Sequence, residues 1–136
     1  MIDREIIKIA SNTENHGVLN NHTHSSKLKN AICGDEMKIY LIVKDDKIID
    51  FKYECESCVY CQASVSLLSR NAKNKLVDKF KNFALQASNS FKNDTNSFDK
   101  EWKEFDKIMT KNNISRKECL LLPVNTALDA LNKKSL

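Results

Sequence analysis

The apolar residues of this chain change their spacing once, and that change constrains the fold more than any other feature. From Met37 the spacing is two. Met37, Ile39, Leu41 and Val43 share one face, Asp45-Asp46 turns the chain, and Ile49, Phe51, Tyr53 and Cys55 alternate with Asp50, Lys52 and Glu54. Alternation at period two marks a half-buried strand, so the segment predicts an antiparallel hairpin with one buried face. After Cys58 the spacing becomes three and four. Ala63, Leu67 and Leu68 continue a helix to about Ala72, and Leu76, Val77, Phe80, Phe83, Ala84 and Ala87 predict a second. Phe98, Trp102, Phe105 and Met109 predict a third, and Leu120, Val124, Ala127, Leu128 and Leu131 a last one over about 116–133. A short helix over residues 2–10 places Ile2, Ile6, Ile7 and Ile9 on one side, and the turn-like Asn12-Thr13-Glu14-Asn15-His16-Gly17 follows it. Leu28 and Ile32 anchor an earlier strand around Ser25–Ile32. Strands before helices predict an α+β domain, a small antiparallel sheet of about three strands with helices packed on one face.

A chain of 136 residues fits one domain over 1–136, and folding at this length buries roughly two-thirds of the accessible surface. Two Gly and one Pro leave no linker or repeat; the weakest stretch, Ser88–Ser97, is polar enough for a loop inside that domain. Lys and Arg number 22 against 18 Asp and Glu, spread along the chain, which is a solvated surface rather than a nucleic-acid footprint. No apolar run is long enough to span a membrane, and Met1–Glu5 is charged where a signal peptide is apolar. The expectation is a cytoplasmic protein with no membrane and no nucleic-acid partner.

In a reducing compartment, five cysteines at 33, 55, 58, 61 and 119 point to metal ligation, catalysis or redox chemistry rather than disulfides. Cys33-Gly34-Asp35 lies between two strand candidates, and Gly34 permits a tight turn that brings a thiol and a carboxylate to one point. Cys55-x-x-Cys58-x-x-Cys61 puts three thiols at a strand-to-helix junction, within reach of one metal. The plainer alternative is that Cys55 continues the buried face of Phe51 and Tyr53 while Cys61 packs as a small apolar residue. Ser115-Arg116-Lys117-Glu118 has the pattern of a capping box that starts the last helix just before Cys119, although Pro123 then falls inside it. Either a bent helix or a later start leaves Cys119 near a helix N-terminus, where the dipole favours a thiolate. Trp102 and the aromatic stripe around it read as core, and His16, His22 and His24 as loop residues.

Together these segments resemble the IscU/NifU/SufU iron–sulfur cluster assembly scaffolds. Asn12–Gly17 is similar to the family's early Asn-Pro-Arg-Asn-x-Gly segment, with Thr13 and Glu14 in place of Pro and Arg. Cys33-Gly34-Asp35-Glu36-Met37-Lys38 resembles the first ligand motif, Cys58-Val59-Tyr60-Cys61-Gln62-Ala63-Ser64-Val65-Ser66 the second, and Arg116-Lys117-Glu118-Cys119 the third. The resemblance implies Cys33, Asp35, Cys58 and Cys119 as the ligands of a [2Fe–2S] cluster or iron, with zinc as the alternative occupant. It places Cys55 and Cys61 outside the ligand positions. It implies a cysteine desulfurase as sulfur donor, Cys119 as candidate persulfide acceptor, and apo iron–sulfur proteins as recipients. Ser57 replaces the usual Gly before the second ligand, and Glu118 stands where the IscU branch has His. Asn112-Asn113-Ile114-Ser115 occupies the place of the proline-rich segment offered to an Hsp70-type chaperone, so chaperone-assisted transfer is not expected. The long interval from Cys58 to Cys119 is like that of the SufU branch, which points to a zinc-dependent sulfur acceptor as the other reading.

The chemistry of such a set follows from its donors. Thiolates are the soft ligands that iron, zinc and sulfide prefer. A carboxylate is harder and binds iron more weakly, so Asp35 is the residue expected to make a bound cluster easy to release. An electron carrier built on Cys55, Cys58 and Cys61 lacks the fourth nearby cysteine and the Pro of the bacterial ferredoxin motif. A merely zinc-stabilised interaction domain would unfold when the metal is removed.

Overall fold

The computed structural model describes residues 4–32, 34–91 and 98–133. Helix α1 (Arg4–Ala10) precedes strands β1 (His24–Lys29), β2 (Glu36–Lys44) and β3 (Lys47–Glu56); α2 (Val59–Ala72), the two-residue strand β4 (Lys75–Leu76) and α3 (Val77–Ser90) follow. Two 3-10 segments, Lys100–Lys107 and Lys111–Arg116, lead into α4 (Lys117–Asn132). The sheet is an antiparallel meander in the order β1-β2-β3-β4. Asp45 and Asp46 take φ of 54° and 60° between the paired Lys44 and Lys47, the two positive values that a tight hairpin with right-twisted strands requires. The expected α+β architecture is therefore present, with a fourth strand in place of about three: Lys75 and Leu76 pair with Ile48 and Lys47.

Met37, Ile39, Leu41, Phe51 and Tyr53 are buried as alternation predicts. Ile49 is not. Pairing passes from Val43–Ile48 to Ile42–Asp50, so Ile49 is the extra residue of a bulge, and it is Ile48 that enters the core. Other apolar anchors also differ from expectation. Ile6 and Ile9 of α1 are buried while Ile7 faces solvent, and Ile2 lies outside the described residues. Ile32 lies beyond β1 and is 87% exposed; inside that strand the buried residue is Ser26, whose hydroxyl donates to Asp129 of α4. His24 is the first residue of β1 rather than a loop residue.

Helix α4 packs on β1 and β2, α2 packs on β3, and the two helices pack on each other. The third expected α-helix is a 3-10 segment with non-helical φ/ψ at Trp102, and Phe98 precedes it. Its aromatics still form core: Trp102 stacks on Phe83 with centroids 4.3 Å apart, and Phe105 lies 4.7 Å from the same ring. Aromatic burial survives the change of helix type because it needs only that the rings meet. The expected Ser88–Ser97 loop is shorter at its start, since Ser88–Ser90 complete α3; residues 92–97 lie outside the described residues. The cap of α4 is Arg116, with no side-chain cap bond, in place of the Ser115 capping box, and Pro123 is accommodated inside the helix. Beside it, the buried Ser64 hydroxyl donates to the Leu120 carbonyl at 2.6 Å, tying the first turns of α4 to α2.

Candidate metal centre

Three segments far apart in sequence meet at one end of the sheet. Asp35 stands immediately before β2, at the end of a turn that Asn30 closes from both sides. The Asn30 N–H donates to the Asp35 carbonyl at 2.7 Å, the Gly34 N–H donates to the Asn30 carbonyl at 2.7 Å, and the Asn30 side chain accepts from the Ile32 N–H at 3.0 Å. Gly34 has φ +79°, in the left-handed region that favours glycine, so it delivers the chain to Asp35 in this direction. Cys58 is the N-cap of α2, and Cys119 is the third residue of α4. One ligand atom from each of Asp35, Cys58 and Cys119 lies within 4.8 Å of the others. Asp35 and Cys119 are buried and Cys58 is half-buried. Cys33 lies outside the described residues.

The carboxylate is held on one side and open on the other. Oδ1 accepts the Cys58 N–H at 3.2 Å, so Asp35 caps α2 from across the fold, while buried Oδ2 has no hydrogen-bond partner among the described residues. An orphaned carboxylate oxygen in a dry place is costly unless a cation or donor meets it. With two thiol sulfurs near it, the set fits a thiophilic metal such as iron or zinc. Above the same helix starts, the Arg116 guanidinium lies 5.1 Å from the Tyr60 ring centroid, bridging the N-termini of α4 and α2.

The remaining thiols surround this group without joining it. Burial pushes the Cys55 thiol up from its ordinary value, against the nearby Ser57 hydroxyl and with help from the charge of Asp35. Burial pushes the fully buried Cys61 thiol up much further, again opposed by Ser57 and reinforced by Asp35, Cys55 and Cys58. Both are expected to be dispensable for metal: Cys55→Ser and Cys61→Ser should keep nearly the parental metal content when the folded variants are analysed by mass spectrometry. Loss of metal from folded Cys61→Ser would mean that the Cys58/Cys61 pair is the binding one.

His16 lies edge-on to Tyr53 and pairs with it in an isolated bridge, His22 accompanies Tyr40, and His24 meets the Thr23 hydroxyl; none joins the Asp35 group. Sequence reading missed Asn30, for which a turn-forming Asn ahead of Gly34 was the available signal. It also missed the capping of α2 by Asp35, for which there was none.

A small meander covered by helices, with a carboxylate and two cysteine thiols converging where two helices start, is an arrangement that could hold a metal ion. Residues 1–93 match the family model described as NifU-like N terminal domain, and the chain belongs to that family, the IscU/NifU/SufU iron–sulfur cluster assembly scaffolds. The iron–sulfur cluster assembly scaffold protein IscU of Thermotoga maritima is 30% identical over 137 residues, covering 99% of this chain and 95% of its own. A solved iron–sulfur cluster assembly scaffold protein for the SUF system from Fervidobacterium islandicum AW-1 is 27% identical, with a TM-score of 0.83 and 96% of each chain covered. The NifU-like protein of Brucella abortus shares the fold with a TM-score of 0.88 at 21% identity, covering 95% of this chain and 90% of its own. No helix among the described residues is long and apolar enough to cross a membrane.

Proposed function

We propose that this chain accepts sulfur from a cysteine desulfurase, assembles a [2Fe–2S] cluster on Cys33, Asp35, Cys58 and Cys119, and passes it to apo-proteins. The observation that supports this reading best is the convergence of Asp35, Cys58 and Cys119 within 4.8 Å, with Asp35 Oδ2 buried and without a partner among the described residues. Cys33, two residues before Asp35 in sequence, is the fourth member of the set. In this reading the chain works as one domain over 1–136 in the reducing cytoplasm, where thiols persist as ligands. Three thiolates and one carboxylate also make a tetrahedral zinc set, so a zinc-dependent sulfur acceptor using the same residues is the second reading.

Anaerobic purification followed by metal analysis and a visible spectrum separates the two. Iron with sulfide-to-iron charge-transfer bands supports the cluster scaffold, and stoichiometric zinc without colour supports the acceptor. A chain that takes up neither metal would refute both.

Asp35→Ala is expected to hold its cluster longer than the parent, because the hard, weakly held oxygen ligand is gone. The variant also loses the acceptor that caps α2, a change of about 1 kcal/mol in stability, which leaves the fold intact. Transfer to an apo-ferredoxin followed by circular dichroism checks this; transfer as fast as the parent's would remove Asp35 as the release element.

A further inference from the structure

Cys61 stands outside the proposed ligand set, yet its place relative to Cys58 is specific. Cys58 is the N-cap of α2 and makes no side-chain cap bond, and Cys61 is the third helical residue. Cys58 enters the helix in an extended conformation, φ −71° and ψ 168°, and Cys61 stands three residues on in the first turn, the spacing at which an N-cap side chain meets the helix start. Their exposures differ in a useful direction. Cys58 is half-buried, open to an incoming sulfur, and Cys61 is 0% exposed, sheltered from it. The Cys58 sulfur is also within 4.8 Å of that of Cys119, which is only 6% exposed, so the two sulfurs share one sheltered site.

We propose, resting on the sulfur-acceptor reading above, that Cys58 and Cys61 form a dithiol that reduces accepted sulfur to sulfide within the site. Sulfur arrives as a persulfide on Cys58, directly or when the Cys58 thiolate attacks the outer sulfur of a Cys119 persulfide and releases the Cys119 thiolate. The Cys61 thiol then attacks the inner sulfur, Sγ of Cys58. The Cys58–Cys61 bond forms, the bond to the outer sulfur breaks, and that sulfur leaves with the bonding pair and the Cys61 proton as hydrosulfide. The outer sulfur gains two electrons, and the two cysteines lose two in becoming a disulfide. An external dithiol reductant returns the pair to its starting state. The consequence is that sulfide is generated beside the ligands that need it, with the reducing electrons supplied by the scaffold's own thiols. Disulfide formation also withdraws Cys58 from the ligand set until the pair is reduced.

The test uses the full reduced chain, freed of metal by chelation, loaded anaerobically with glutathione persulfide and desalted. Sulfide release is followed, and the cysteines are mapped by mass spectrometry. The parent is expected to release one sulfide per chain and to end with a Cys58–Cys61 disulfide. Cys61→Ala, which keeps a small apolar group in the buried position, is expected to lose that release and to retain the added sulfur on Cys58 or Cys119. Cys55→Ser should behave as the parent. Sulfide release from Cys61→Ala at the parental rate, or a parental disulfide joining Cys58 to Cys119 or Cys33 instead, overturns the dithiol. The parental disulfide map decides the question even if the Cys61 variant does not fold. A parent that takes up sulfur and keeps it as a persulfide overturns the dithiol alone, whereas a parent that takes up no sulfur overturns the acceptor reading as well.

Discussion

A Cys119→Ser variant is expected to lose most of the rise in desulfurase turnover that the parent chain produces. Serine preserves the shape of the side chain but removes the atom that attacks a persulfide, because an alcohol is not ionised at neutral pH and does not carry sulfane sulfur. The site gives that atom a defined place: Cys119 is the third residue of α4, its sulfur within 4.8 Å of ligand atoms of Asp35 and Cys58. The Ser64–Leu120 hydrogen bond holds that turn against α2 independently of residue 119, so the variant keeps its fold. Cys33→Ser and Cys58→Ser are expected to lose less of the stimulation if they serve chiefly to hold metal. The measurement is alanine production by a cysteine desulfurase, titrated with parent and variants. Equal stimulation by all three variants would remove the sulfur-acceptor role and leave metal binding alone.

The largest expected effect on stability comes from Phe83→Ala. Phe83 is 1% exposed and meets Trp102, Phe105, Phe98 and Phe80 at centroid distances of 4.3, 4.7, 5.4 and 6.1 Å. Truncating a buried Phe removes its transfer free energy and leaves a cavity, together about 3–5 kcal/mol. Against a typical domain stability of about 5–15 kcal/mol, that is a large fraction. Urea denaturation is expected to show a much lower midpoint at nearly unchanged slope. A loss below about 1 kcal/mol would mean that the site collapses to fill the cavity, and that the cluster does not organise this part of the fold.

The switch from period two to period three and four was legible from residue names alone, and with it the hairpin, the helices after Cys58 and the α+β class. The local settings of the candidate ligands were legible too. Cys-Gly-Asp at a turn, Cys58 at a strand-to-helix junction and Cys119 near a helix start are local patterns, and all three described members, Asp35, Cys58 and Cys119, do meet. Periodicity and turn chemistry survive in sequence because they record backbone geometry over a few residues. What tertiary structure alone decided depends on partners far along the chain. The bulge that puts Ile48 rather than Ile49 in the core arises from register against β2. The 3-10 form around Trp102 pairs with a ring cluster centred on α3. Asp35 caps a helix that begins more than twenty residues later, and its other oxygen is buried without a hydrogen-bond partner among the described residues. Cys61, which the sequence left open between a metal-reaching thiol and a small packed residue, is fully buried. Burial and long-range hydrogen bonding distinguish thiols that are identical as letters, since each reports the packing of segments that no local pattern specifies.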